Sequence, residues 1–241
     1  GIITPSITVT SAIEGLKLEF PDVSVIPIVI AIITVLFVIQ QFGTNQVGKL
    51  FGPIMFLWFG VLGFLGLLFV VQDLSIFKAL NPYYAVNLLA TNPKALLILG
   101  GVFLCTTGAE ALYSDMGHCG RSNIRVSWIF VKAMLILNYL GQGVWILHHA
   151  NYDTTQNPFF KIVPEDYRLP MVALATVAAV IASQAMITGS FTLISEAVRL
   201  NLWPKVRINY PSNQKGQIYV PSINWILWAG CIAIVMIFET S

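Results

Sequence analysis

The sequence predicts an all-α polytopic membrane protein, and three observations carry that prediction. Of 241 residues, 56% are apolar and only 10% are charged, against roughly 45–50% and 25% in a soluble domain. Apolar runs near about 20 residues, the length that crosses a hydrocarbon core about 30 Å thick, recur along the chain. Polar connectors separate those runs, and their charge alternates from one connector to the next. The composition excludes a soluble enzyme, a nucleic-acid-binding protein and a secreted disulfide scaffold. A net charge of +2 is too small to point to a polyanionic partner. The three cysteines (Cys105, Cys119 and Cys231) lack metal-ligand spacing.

Residues 1–13 read as the closing part of a helix, followed by a charged connector over 14–22. Runs over residues 23–42, 51–71, 95–116, 124–147 and 169–195 are each long enough to span, or nearly so. A further helix is expected over 219–238, where the strictly apolar part is short. Residues 74–89 hold Pro82 and the Tyr83–Tyr84 pair, and two readings stand for them: a short interfacial helix or an ordinary loop. The whole is read as one transmembrane domain, part of a longer protein with further helices on both sides.

The connectors set an orientation. Lys49, Arg121, Arg125, Arg199, Lys205, Arg207 and Lys215 fall on one side with almost no acid. The other side holds Lys17, Lys78, Lys94, Lys161 and Arg168 together with seven acids. Because cytoplasmic loops carry the excess of Lys and Arg, the first set is cytoplasmic.

A charge at membrane depth costs at least about 2.5–3.5 kcal/mol, so Glu110 stands out as a functional residue. It closes the stretch Thr106-Thr107-Gly108-Ala109-Glu110 at the end of a long apolar run. A glycine preceded by hydroxyls and followed closely by a carboxylate suits a broken helix, whose unwound carbonyls replace an ion's hydration shell. An intact helix with Glu110 facing a polar partner suits the same residues, and the stretch alone leaves both open. Thr4, Thr8 and Ser11 recur at i, i+4 and i+7, which aligns three hydroxyls on one helical stripe. Pro5 removes one backbone donor beside them. Close helix packing accounts well for Ser11 and less well for Thr4, next to the proline.

Other polar positions weigh less. Asn138 and Gln142 suit packing between helices, Lys132 can extend its ammonium to the interface, and Thr188-Gly189-Ser190 suits packing better than a kink. His118, His148 and His149 have no metal-ligand spacing. No phosphate-cradling loop, zinc spacing or nucleophile–base pair supports an enzyme.

Several motifs together identify a resemblance. Gly1-Ile-Ile-Thr-Pro-Ser-Ile-Thr8 with Ser11-Ala-Ile-Glu-Gly15, and Gly43-Thr44 with Val47-Gly-Lys-Leu-Phe-Gly-Pro-Ile-Met55, resemble the third-helix motif and following segment of the Kup/HAK/KT potassium uptake permeases. Thr107-Gly-Ala-Glu-Ala-Leu-Tyr-Ser-Asp-Met-Gly-His118 is similar to that family's sixth-helix signature. Asn138-Tyr-Leu-Gly-Gln-Gly143, Ile181-Ala-Ser-Gln184 and Gly216-Gln-Ile-Tyr-Val-Pro221 match in order. The resemblance implies potassium uptake coupled to protons across the plasma membrane of a bacterial cell. It also implies the inverted-repeat fold with broken helices of the amino acid–polyamine–cation superfamily, here incomplete and running from the third helix to the ninth. The third run is then expected to be broken near 106–110.

The resemblance places Thr4, Thr8 and Thr107 among potassium ligands and matches Glu110 to an acidic residue associated with transport. Hydroxyls stay neutral over the working pH range, whereas a carboxylate's proton and a nearby cation oppose each other. Thr4, Thr8 and Thr107 are therefore expected to coordinate the ion, and Glu110 to serve proton coupling or cation attraction. The expected partners are potassium ions, protons and membrane lipid, with a homodimer compatible with them and nucleic acid not expected. No cofactor is expected beyond the transported ions. Another cation or amino-acid permease of the same fold, and a non-transporting membrane scaffold subunit, are the alternatives.

The orientation is testable in intact cells carrying the full-length protein. An impermeant thiol reagent is expected to label Thr155→Cys and not Ser212→Cys; labelling of Ser212→Cys alone means the opposite orientation.

Overall fold

A computed structural model describes residues 2–42, 45–105, 121–149, 151, 157–210 and 218–239. Helices dominate: α1 (Ile3–Glu14), α2 (Val25–Ile39), α3 (Asn45–Val70), α4 (Pro82–Thr91), α5 (Ala95–Cys105), α6 (Arg121–His148), α7 (Arg168–Arg199) and α8 (Pro221–Glu239). Among the described residues the only β-type pairing is an isolated bridge between Asn209 and Tyr219. The stretches Val25–Phe42, Leu50–Val70, Ser122–His148 and Glu165–Arg199 are long and apolar enough to cross a membrane, and Pro221–Ile237 is a shorter apolar helix. The chain divides into two compact units, Gly1–Trp58 with Phe159–Ser241, and Phe59–Pro158.

In the first unit α1 packs against α7, α2 and α8, with its longest contact along α7. Pro5 sits in the first turn of α1, where its missing N–H leaves no intrahelical bond unmade. The buried face of α1 is Pro5, Ser6, Val9, Ala12 and Ile13. It meets apolar stripes repeating every three to four residues: Val25, Val29, Ile33, Leu36 and Phe37 on α2, and Ile223, Leu227, Cys231 and Val235 on α8. Gly15 lets the end of α1 close onto α7, since a Cβ there would lie 2.6 Å from Val172.

The hydrophobic effect does not drive these helices together in lipid, which is as apolar as a leucine side chain; close van der Waals packing at small residues and interhelical hydrogen bonds do that work. On α8 the polar contacts recur one turn apart. Asn224 Nδ2 donates to the Phe37 carbonyl (3.2 Å), and Trp228 Nε1 donates to Thr34 Oγ1 (3.1 Å). Asn224 is wholly buried, so its bond caps the end of α2 where water cannot.

α7 is helical without interruption through Thr188-Gly189-Ser190. The hydroxyls of Thr188, Ser190 and Thr192 donate back to the carbonyls of Gln184, Met186 and Thr188, satisfying themselves within the helix. α7 stops at Asn201, in the left-handed region at φ 57°. Leu202 N–H donates to Ala197 O and Asn201 N–H to Val198 O, the paired bonds of a Schellman ending.

In the second unit, residues 74–91 form a 3₁₀ segment (Leu74–Leu80) and α4, each capped by the residue before it. Asp73 accepts from the Ser75 amide and Asn81 from the Tyr83 amide, with Pro82 at the first helical position. The Ser75 hydroxyl and amide hold the Asp73 carboxyl below its usual value, and His148, 3.4 Å away, adds to that. This cap therefore acts above the ordinary carboxylate range and is lost as pH falls through the lowered value. Residues 95–105 are helical; residues 106–120, where a break is expected, lie outside the described residues.

The second half of α3 meets α6 through glycine. A Cβ on Gly66 would fall 2.3 Å from the Leu137 carbonyl oxygen, and one on Gly141 would fall 2.5 Å from Gly66 itself. Gly60, on the same helix, has nothing within 4 Å of a Cβ position. In the full-length protein, Gly66→Ala is expected to cost about 1–3 kcal/mol by forcing the two backbones apart. Gly60→Ala is expected to leave stability unchanged. Thermal unfolding in detergent compares the two, and equal midpoints would contradict the close crossing.

Candidate functional site

α1 carries two polar stripes. Thr4, Thr8 and Ser11 form the one expected from the sequence, and all three are half-buried. The Thr8 hydroxyl donates its proton to the Thr4 carbonyl at 2.7 Å. A hydroxyl that has given its single proton to the helix turns its lone pairs outward, which is the arrangement a cation needs. The Thr4 hydroxyl makes no hydrogen bond among the described residues. Thr107 and Glu110 lie outside the described residues.

The second stripe, Ser6, Thr10 and Glu14 at i, i+4 and i+8, lies on another face of α1. With Ile7, Ser11 and Lys17 it lines a groove of about 530 Å³, closed by Val25 and Ile26 of α2 and by Ile234 and Val235 of α8. The groove runs from buried Ser6 to exposed Glu14. The spacing of this stripe is as regular as that of Thr4 and Thr8, so the sequence holds the signal that would have found it.

Ser6 also joins α1 to α8. Its Oγ lies 3.0 Å from the Ile2 carbonyl oxygen and 3.2 Å from the Cys231 carbonyl oxygen. The Cys231 thiol donates to the same Ile2 carbonyl at 3.4 Å. Gly230 permits this approach, because a Cβ there would lie 2.8 Å from the Ile2 side chain. Ser6 is 1% exposed and Cys231 is fully buried.

The remaining polar candidates sit as structural groups. Asn138 is buried, its Cα faces Gly66, and among the described residues its Oδ1 has no hydrogen-bond partner. The Lys132 ammonium lies 4.7 Å from the Trp128 ring centroid, one turn toward the start of α6, which is the expected snorkelling direction. His149 Nδ1 lies 2.9 Å from the Trp145 carbonyl, and its ring stacks on Trp145. Among the described residues no group of three or more His, Cys, Asp or Glu is placed to hold a metal. A second cavity, about 430 Å³ between α2, α3 and α7, is lined almost wholly by apolar side chains such as Val35, Leu50 and Val180. It offers no site for an ion.

A family model described as the K+ potassium transporter integral membrane domain matches residues 1–241. The chain is 58% identical to a probable potassium transport system protein Kup of Flavobacterium psychrophilum and 59% identical to one of Cytophaga hutchinsonii. It is 52% identical to a protein of the same name in Latilactobacillus sakei. Each match covers 100% of this chain and 38% of the relative, so the chain spans about two-fifths of the length of those proteins. No solved structure matches the chain.

Because the Thr4 hydroxyl holds no partner among the described residues, its loss is expected to leave folding intact. Thr4→Val in the full-length protein is expected to keep thermal stability within about 0.5 kcal/mol of the parent without potassium. A loss of about 2 kcal/mol or more would mean that the hydroxyl is a structural group.

Proposed function

The chain belongs to the K+ potassium transporter integral membrane family, and on that premise we propose that it is part of a plasma-membrane potassium uptake system driven by proton symport. The observation that carries this reading is the α1 stripe: two threonines one turn apart, half-buried, with the Thr8 proton turned inward onto the Thr4 carbonyl. Potassium is large and weakly hydrated, so neutral hydroxyl and carbonyl oxygens suit it better than a cage of carboxylates. The apolar surfaces of the helices support placement in lipid. Val35, Phe56, Phe64, Leu96, Leu97 and Ile129 are all more than half exposed in the isolated chain.

Thr4 and Thr8 supply two of the proposed potassium ligands, and Thr107 joins them on the sequence resemblance. Glu110 takes the proton-linked role on the same basis. Symport needs both ions aboard together, so potassium rests on the neutral hydroxyls while Glu110 carries the proton. Desolvation raises the pKa of a carboxylate at membrane depth, which lets Glu110 hold that proton while the ion sits on oxygens that do not titrate. Membrane lipid surrounds the assembly, and a homodimer is compatible with it.

Rubidium uptake by the full-length protein, measured across pH, tests this division. Thr107→Ala is expected to raise the half-saturating rubidium concentration. Glu110→Gln is expected to lower the maximal rate and flatten its pH dependence. Parental rate and pH profile in Glu110→Gln would remove Glu110 from the coupling, and competition of uptake by amino acids in place of potassium would overturn the choice of substrate.

A further inference from the structure

We infer that Ser6 is a positioning residue for cation binding: its hydroxyl, with the Cys231 thiol and the Cys231 carbonyl, fixes the rotation of α1 about its own axis and so aims Thr4 and Thr8. The inference rests on the proposal that Thr4 and Thr8 hold the ion. At 3.6 residues per turn, a step of two residues turns about 200° around the helix. Thr4 and Thr8 both stand two residues from Ser6, so both lie on the side of α1 away from it. What grips α1 at Ser6 therefore sets where the two hydroxyls point.

The grip is built from three contacts that meet at one turn. The Ser6 hydroxyl has a single proton and two carbonyl oxygens within reach, one on its own helix (Ile2, 3.0 Å) and one on α8 (Cys231, 3.2 Å). The Cys231 thiol donates to Ile2 across the same gap at 3.4 Å. Ser6, at 1% exposure, has no water to fall back on. Gly230 beside it brings the Ile2 side chain close to the α8 backbone, so a turn of either helix at this point must displace that side chain. A group about 5 Å from a helix axis moves about 1.7 Å when the helix turns by about 20°. A displacement on that scale is enough to spoil coordination that depends on placed oxygens. Hydroxyl stripes in membrane helices often do no more than allow close packing. A packing role predicts loss of folded protein, whereas a positioning role predicts loss of affinity in protein that still folds and transports.

Rubidium uptake by the full-length protein in proteoliposomes separates the two roles, with each rate normalised to reconstituted protein. Ser6→Ala is expected to raise the half-saturating rubidium concentration by about threefold or more while the maximal rate stays near the parent. Ser6→Cys, which keeps a donor of similar size, is expected to recover most of that affinity. A parental half-saturating concentration in Ser6→Ala overturns the inference, as does a fall in maximal rate alone. Should Ser6→Ala not reach the membrane, Gly230→Ala tests the same point from α8. Its methyl group pushes on Ile2 and is expected to give the same affinity loss, and unchanged affinity there overturns the inference. Thr4→Val measured alongside keeps the two claims apart. If it binds rubidium like the parent, the ligand assignment of Thr4 fails; if it loses affinity while Ser6→Ala does not, only the positioning role fails.

Discussion

The Ile2 carbonyl, within reach of both the Ser6 hydroxyl and the Cys231 thiol, joins the start of α1 to α8 beside two buried side chains. In hydrocarbon an unpaired polar group costs several kcal/mol, so helices settle where their polar groups find one another. Much of the first unit is arranged around that requirement. Asn224 and Trp228 extend the contact along α8 to α2, one turn at a time. Apolar stripes fill the space between these bonds, Gly230 lets α1 and α8 come close enough for theirs to form, and Gly15 brings the end of α1 against Val172 of α7. With one side of α1 held in this way, its opposite side is left to carry oxygen atoms that the packing does not consume.

Much of this architecture is legible in the sequence because the bilayer imposes a single length on every spanning helix. Residues 23–42 and 124–147 stand out by apolar length alone, and the structure places Val25–Phe42 and Ser122–His148 there. Hydropathy sees only the part of a helix that lies in lipid. α6 therefore begins at Arg121, earlier than its apolar run, and α7 continues to Arg199 until Asn201 turns the chain left-handed. Thr188-Gly189-Ser190 leaves α7 unbroken, because the hydroxyls bond back to their own helix. The crossing at Gly66 and Gly141 depends on residues 75 positions apart and leaves no local mark.

At the site, Thr4 and Thr8 share a stripe as their spacing requires, and the bond between Thr8 and the Thr4 carbonyl adds the direction of the proton. Ser6 and Thr10 are equally regular in the sequence, but Ser6 gains its meaning only from Cys231, 225 residues away. A local pattern shows that hydroxyls align; only the fold shows which of them face a neighbour. The proposed transport chemistry follows from that division of one short helix into a face held against α8 and a half-buried face that carries Thr4 and Thr8.

The most direct measurement of the central claim is anomalous diffraction at the rubidium edge from crystals of the full-length protein grown with rubidium in place of potassium. The account predicts a peak within direct coordination reach of the Thr4 and Thr8 hydroxyls, on the face of α1 away from Ser6. A peak between α1 and α8, or ordered rubidium with none beside α1, would contradict it.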